Sequence, residues 1–372
     1  MKRVLVTGGA GFIGSHTADL LLSRGYHVRV LDNLTSPVHR DGQLPDYFPH
    51  DAEFVPGDVR DNSVWIKALE DIDAVIHLAA YQDYLPDFSR FFDVNAVGTA
   101  LMYEVIVKHK FPVRKIVVAS SQAAYGEGKY ECVEHGKQFP APRLTEQLER
   151  MEWEPRCHLC EGPLSMLATD EERVNPHNSY AISKYTGESI AITLGQRYHI
   201  PTVGMRYSIV QGTRQSFRNA YSGVLRIFAM QLLNGLRPTA YEDGEQVRDY
   251  VYVGDVARAN LLVLTDKRAE HQVFNVGGDR KITVNEFARI MADKAGRGDL
   301  GPILSGEYRL GDTRHILSDV SKLRALGWEP LGCVEQSVED YLLWAQQQPD
   351  FGDYSTKARQ TMRSVGTVRG GA

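Results

Sequence analysis

The sequence predicts an α/β protein: a doubly wound parallel sheet, a smaller C-terminal lobe and an inserted cysteine-bearing module. Three observations carry that expectation. Short β-branched runs alternate with amphipathic stretches through the first two hundred residues, the pattern of parallel strands joined by helical crossovers. A glycine-rich turn joins the first strand to the first helix. A polar, Pro- and Glu-rich interval from Gly126 to Asn175 breaks the alternation and holds three of the four cysteines. At 372 residues, with a formal charge of -5, the chain suits one large domain with a lobe. The mild acidity gives no reason to expect nucleic acid or an anionic membrane as partner. No apolar run approaches the roughly 20 residues that span a bilayer. Four cysteines make no disulfide framework, and "MKRVLVTGG" lacks the apolar h-region of a signal peptide, so a cytoplasmic setting is expected.

The strands are read in "RVLVTG", "HVRVLDN", "EFVPGDV", "AVIHLAA", "KIVVASS" and "TVGMRYSIV", with helices at "SHTADLLLSRG" and "GTALMYEVIVKHK". Apolar strands of this kind are buried on both faces. Residues 1–207 form the expected nucleotide-binding domain, interrupted by the insertion at about 127–175. Residues 208–345 form the expected lobe, with "QVRDYVYVGDVARANLLVL" and "QVFNVGG" returning to the sheet. The stretch 346–372 reads as a solvated tail, no internal repeat is present, and the "RGD" at Arg297–Asp299 is a chance match.

"VLVTGGAGFIGSH" sets Gly8, Gly11 and Gly14 directly after a strand and at the opening of a helix. Glycines there let the backbone turn tightly and approach a pyrophosphate, which rests on the partly positive helix N-terminus. Asp32 ends the next strand, eighteen residues past Gly14. A carboxylate at that place accepts from the ribose hydroxyls and repels a 2′-phosphate, so NAD is expected rather than NADP. Asp58 and Val59, at the end of the third strand, are expected to face the adenine.

"SYAISK" puts Tyr180 and Lys184 four apart on one helix face. A free phenol titrates at about 10 and is a poor base at neutral pH. An ammonium and a cationic nicotinamide nearby favour the phenolate. Such a pair is common on helices. Behind a dinucleotide turn and a hydroxyl-bearing strand end, "VVASSQAAYG", it points to proton transfer.

With these motifs the chain resembles the extended short-chain dehydrogenase/reductases, and among them the nucleotide-sugar epimerases and dehydratases. "TGGAGFIG", "LDN", "GDVRD", "HLAA", "VNAVGT", "ASSQAAYG", "YAISK", "RDYVYVGDVARA" and "GDTRHILSDVSKLRALGWEP" carry the resemblance from residue 2 to about 330. It implies that Tyr180 is the base, that Lys184 orients it and holds the nicotinamide ribose, and that Ser121 hydrogen-bonds the reacting hydroxyl. It implies a Rossmann cofactor cleft lined by Phe12, Ile13, Asn33, Leu78, Ala79, Ala80, Asn95, Ser120 and Tyr207 besides the residues above. Arg248, Arg309 and Asp312 match positions that hold a nucleotide diphosphate and ribose, and Gln122 and Ser208 fall beside the substrate. Guanidinium groups suit phosphate because they meet it with two donors.

Two departures from the family pattern sharpen the expectation. Dehydratases carry an acidic pair where this chain has Gln122 and Ala123, neither of which carries protons, so epimerisation is favoured over elimination. The Asn usual after "RY" is Ser208, which leaves a standard diphosphate contact open. The expected reaction is inversion at C4 of an NDP-hexose through a transient 4-keto sugar, with NAD regenerated each turnover. A dehydratase, a reductase, a 2- or 3-epimerase and a non-catalytic NAD sensor are the alternatives. The resemblance also implies a homodimer and leans towards a dTDP-6-deoxyhexose such as dTDP-L-rhamnose.

Between Ser121 and Tyr180 lie 58 residues, where related epimerases hold a shorter loop. Inside the excess, Cys132 and His135 are separated by two residues, as are Cys157 and Cys160, with 21 residues between the pairs. Two such pairs offer four soft ligands, the set of a closed tetrahedral Zn²⁺ site of zinc-ribbon type. His158 is a possible substitute ligand. A redox pair is disfavoured because Cys157 lacks the strand-to-helix context that lowers a thiol pKa, and unconnected structural cysteines are the remaining alternative. A zinc here is expected to be structural, folding a flap beside the sugar pocket in place of an apolar core.

Overall fold

A computed structural model describes residues 1–40, 42–220 and 223–371. The last residue of the expected tail, 372, and two residues of the expected lobe, 221 and 222, lie outside the described residues. Seven parallel strands form the central sheet, in the spatial order Gln272–Val276, Thr202–Tyr207, Lys115–Ser121, Ala74–His77, Arg3–Thr7, His27–Asp32 and Glu53–Pro56. Strands alternate their side chains between faces. Here both faces are apolar: Val4, Val6, Val28, Val30 and Ile76 pack on one side, Leu5, Leu31, Val75, Ile116 and Val118 on the other. Helices Phe12–Ser23 and Val253–Thr265 cover the first face. Helices Asn62–Leu69 and Gly98–His109 cover the second, with Trp65, Met102 and Ile106 buried beneath them, and Ser179–Arg197 adds Ala191 to the same cluster. The first strand lies between the second and the fourth, so the crossovers reverse direction there. Ligands of open α/β sheets bind at that switch point, outside the carboxyl ends of the strands.

A second core joins Leu225, Phe228, Phe287, Met291 and Tyr341 under a separate three-stranded sheet. That sheet corrects one expectation. Val247–Tyr252 does not return to the central sheet; it pairs with Ile209–Gln211 and Lys281–Thr283, because buried Asp249 ties it to Ser208, Gly278 and Ser318. Gln272–Val276 does join the central sheet.

The insertion folds on its own small sheet of Tyr130–Cys132, Gly136–Gln138 and Ser165–Met166, with a short helix Thr145–Glu149. Its apolar cluster is only Tyr130, Cys132, Cys157 and Leu164, with Met166 against it.

The expectation of a solvated tail is corrected as well. Helix Ser355–Ser364 buries Ala358 and Met362, and strand Val368–Gly370 pairs antiparallel with Glu307–Arg309. The fully buried Glu307 carboxylate draws the helix in by accepting from Arg359 (Nε–Oε2 2.8 Å) and from Arg363. Among the described residues no helix is long and apolar enough to cross a membrane.

Candidate functional site

One cavity of roughly 1060 Å³ opens at the carboxyl ends of the strands and runs into the C-terminal lobe. Its floor is the turn after the first strand. Gly8 holds φ +66°, and a Cβ on it would lie 2.9 Å from the Ala79 backbone. A Cβ on Gly14 would lie 2.1 Å from the Gly8 carbonyl oxygen. Neither position tolerates a side chain, which keeps the backbone bare where the helix Phe12–Ser23 begins. Asp32, at the end of its strand, accepts from the amides of Ala10 (3.1 Å) and Leu34 (2.9 Å), so its carboxylate is fixed at the rim. Asp58 accepts from Asn33 (2.8 Å) and is held at about 2, chiefly by its hydrogen bond from Arg60. Phe12, Ile13, Val59, Leu78, Ala80 and Ser120 line the same end.

Asn95 is the exception among the predicted cofactor residues. It is absent from the described cavity lining; its buried amide accepts from the Tyr81 amide (2.8 Å) and donates to the Tyr81 carbonyl and to Ser183 (2.9 Å). It therefore fixes the strand-end loop to the helix that carries Tyr180.

That helix starts at Asn178, whose side chain caps the Ala181 amide (2.9 Å), and so aims Tyr180 and Lys184 into the cavity beside Ser121. Burial pushes the Tyr180 phenol above its ordinary value, and a hydrogen bond with Ser121 pulls it back. Burial lowers Lys184 to about 8, opposed by the Glu188 carboxylate one turn on. Glu188 is itself paired with buried Arg206 through two bonds of 2.9 and 2.6 Å. Beneath the pair, burial holds His77 at about 3, so the ring stays neutral between Thr7 (2.8 Å) and Thr99 (3.2 Å). Tyr207 lines the cavity, its hydroxyl donating to Asn260 (2.6 Å).

The other end of the cavity is made of side chains. Arg309 lies between the rings of Tyr84 and Tyr241, 4.5 and 4.8 Å from their centroids. Tyr84 donates to Asp312 (3.3 Å). Arg248 donates to the carbonyls of Val247 (3.0 Å) and Arg314 (2.9 Å) and lines the same space. Ser208 also lines it, but its hydroxyl donates to Asp249 (2.7 Å) and meets Ser318 (2.8 Å). Among the described residues, Ser120 Oγ, Gln122 Oε1, Asn219 Oδ1 and Arg309 Nε are buried here without a hydrogen-bond partner. Orphaned polar atoms around one cavity fit a polar ligand with many donors and acceptors. Sequence reasoning missed Tyr84 and Tyr241, which stand in no motif, and the C-terminal wall formed by Met362, Val365 and Thr367.

Away from the cavity, the Cys132, His135, Cys157 and Cys160 ligand atoms all lie within 4.8 Å of one another. Cys132 Sγ is 3.5 Å from His135 Nδ1 and 3.7 Å from Cys160 Sγ; Cys157 Sγ is 3.7 Å from His135 Nδ1. The amides of Leu159 and Cys160 point at Cys157 Sγ, and that of Gly162 at Cys160 Sγ.

The profile of the NAD dependent epimerase/dehydratase family matches residues 4–144 and 161–277, passing over the segment that holds Cys157 and Cys160. The chain is 32% identical over 357 residues to the dTDP-L-rhamnose 4-epimerase of Burkholderia thailandensis, covering 94% of this chain and 96% of that protein. The crystal structure of the Thermotoga maritima UDP-glucose 4-epimerase with UDP-glucose superposes with a TM-score of 0.74 at 31% identity, over 93% of this chain and 99% of that one. The Thermus thermophilus UDP-glucose 4-epimerase, in complex with NAD, gives 0.69 at 29% identity, over 93% and 99%. On the sequence motifs, the glycine turn and these matches, the chain belongs to the NAD dependent epimerase/dehydratase family.

Proposed function

We propose that this protein is an NAD-dependent nucleotide-sugar 4-epimerase. The observation that carries the reading is a single cavity that joins the glycine turn, the Ser121–Tyr180–Lys184 group and the Arg248–Arg309–Asp312 group. Gly8, Gly11 and Gly14 would cradle the NAD pyrophosphate, and Asp32 would accept from the adenosine ribose. Bound NAD supplies a hydride acceptor that can return what it takes. Tyr180 takes the proton from the sugar O4 and gives it back after the keto sugar has turned. Ser121 holds that oxygen in line, and Lys184, charged at neutral pH, supports the phenolate and the ribose. Arg248, Arg309 and Asp312 hold the nucleotide part fixed while the sugar turns. Gln122 and Ala123 border the cavity and carry no protons, which supports epimerisation over elimination. Similarity to the Burkholderia protein supports a dTDP-6-deoxyhexose as substrate. Residues 1–207 and 208–345 would then divide cofactor from sugar binding. Product NMR on candidate NDP-sugars tests the reading. Tyr180→Phe should lower kcat by about 10²–10⁴-fold, and an undiminished rate removes the base from the mechanism.

The reading extends to a structural Zn²⁺ on Cys132, His135, Cys157 and Cys160. Ligands at about 2.3 Å (S) and 2.0–2.1 Å (N) around a tetrahedral ion stand roughly 3.8 Å (S–S) and 3.5–3.6 Å (S–N) apart. The separations of 3.7, 3.5 and 3.7 Å support that geometry. They are far beyond a disulfide, at about 2.05 Å. A cluster of four buried residues is too small to fold such an insertion by apolar burial. Metal analysis should find about one equivalent of zinc. Less than about a tenth, with Cys157→Ser/Cys160→Ser folding as wild type, ends this part of the reading.

A further inference from the structure

We propose that Glu154 and Arg143, anchored by the metal-clamped insertion, are positioning residues for the nucleotide diphosphate of the substrate. The inference rests on the zinc and nucleotide-sugar readings above. The insertion does not border the sugar as a flap would: among the described residues none of 127–175 lines the cavity. Instead it grips, from behind, the two segments that carry the cationic end. Arg143 forks onto Glu242 (2.9 and 2.9 Å) and reaches the Asp312 carbonyl (2.9 Å) with the same nitrogen that holds Glu242 Oε1. Glu154 accepts from Arg314 (2.8 Å) and lies 2.9 Å from His315 Nε2. Arg314 in turn offers its carbonyl to Arg248, and His315 Nδ1 accepts from the Val247 amide (3.0 Å). The Trp153 ring stands 6.3 Å from that of Tyr308, the neighbour of Arg309.

Apart from the Glu242 fork, these contacts land on Asp312 itself or one residue or one bond away from Arg248 or Arg309. Arg143 and Arg314 are each about 2% exposed at the side chain, among Glu127, Glu242 and Asp243. Ion pairs in such a setting are strong only when their geometry is kept. What keeps it on the insertion side is short: Glu154 stands three residues before Cys157, and Trp153, whose carbonyl takes a fourth bond from Arg143 (3.1 Å), stands four before it. Metal loss frees that segment, and the guanidinium fork that meets the diphosphate loses its fixed bearing. Hydride and proton transfer at Ser121 and Tyr180 are built on the central sheet and helix Ser179–Arg197, which the insertion's metal does not touch.

The test uses the full-length protein with NAD bound. Glu154→Gln, half-exposed and isosteric, should keep zinc, NAD and the melting temperature while raising KM for the nucleotide sugar about 5–20-fold, with kcat changed less than about twofold. Chelation of the wild type, or Cys157→Ser/Cys160→Ser, should raise KM by a similar factor. Adding Glu154→Gln to the zinc-free protein should then cost little more, since both changes act through one contact. A zinc-loaded wild type whose KM is indifferent to zinc removal, or a Glu154→Gln effect confined to kcat, overturns the inference and leaves the zinc site standing. A wild type without zinc overturns the metal reading and this inference with it.

Discussion

The two ends of the cavity are built by different means. At the proposed cofactor end, backbone makes the wall: the glycine turn, a helix N-terminus and carboxylates fixed at strand ends, all on consecutive elements of one βαβ run. At the proposed substrate end, side chains make it, and they arrive from segments that are remote in sequence, Tyr84, Arg248, Arg309 and the C-terminal wall. A backbone site is stiff because its scaffold is the sheet itself. A side-chain site needs outside bracing, and here the brace is a set of buried ion pairs reaching into the insertion on one side and the C-terminal helix on the other. Substrate choice can thus change without disturbing the cofactor, as long as the braces hold.

If that contrast is right, substitution in the glycine turn should have the largest effect and should fall on the cofactor alone. Gly14→Ala would drive a methyl group to 2.1 Å from the Gly8 carbonyl and 2.7 Å from the Gly9 Cα, both backbone atoms that cannot yield without moving the turn. Overpacking of this kind costs about 1–3 kcal/mol or more, and NAD retention should fall at least about tenfold. Gly11→Ala meets a single backbone atom at 3.2 Å and should retain most of its cofactor. Bound NAD measured on the purified variants separates the two, and equal retention would mean that the turn is not the rigid floor described here.

A smaller effect should appear in the pH profile. Lys184 is lowered from 10.5 to about 8 by burial. Its charge is therefore present at neutral pH and lost as the pH rises through about 8, so kcat/KM should decline on the alkaline side. The unfolded chain still holds that proton up to about 10.5, so this group's penalty on folding is present below pH 8 and relieved between 8 and 10.5. Lys184→Arg, charged throughout, should be slower but show no decline in that window. A wild-type rate that stays flat to pH 9.5 would mean that the ammonium charge is not what Lys184 contributes.

The same contrast explains what the sequence made legible. Glycine spacing, Asp32 and the Tyr180–Lys184 pair are local patterns, and the central strands show as unbroken apolar runs because both faces of the sheet are covered. The Cys and His pairs showed as two like-spaced pairs, and the fold brings their ligand atoms within 4.8 Å of one another. Asn95 lies outside the described cavity lining: its motif says that it is near the cleft, not which way its amide turns. The C-terminal segment looked like a solvated tail because its apolar residues are few and its attachments are remote: Arg359 and Arg363 converge on Glu307, some fifty residues earlier, and Val368–Gly370 pairs with Glu307–Arg309, contacts no local pattern displays. Tyr84 and Tyr241 escaped for a similar reason, since a guanidinium between two rings is a tertiary fact.

That segment offers the mildest test, and the one most specific to the substrate end. Met362 is buried at 2% exposure on the helix that walls the cavity, and Thr367 carries the wall on, its carbonyl accepting from the Leu310 amide (3.2 Å) and its hydroxyl donating to the Tyr84 carbonyl (3.3 Å). Met362→Ala removes packing worth about 2–5 kcal/mol when a site cannot collapse, and the helix, held by Ala358 and Met362 besides its ion pairs to Glu307, can loosen on its own. The loss should therefore appear as local opening: faster hydrogen exchange over 355–370 and a several-fold rise in KM for the nucleotide sugar, with NAD retention unchanged. A fall in NAD retention instead would show that the two ends of the cavity are not independently held, because a disturbance at Met362 reaches the glycine turn across the cavity that both line.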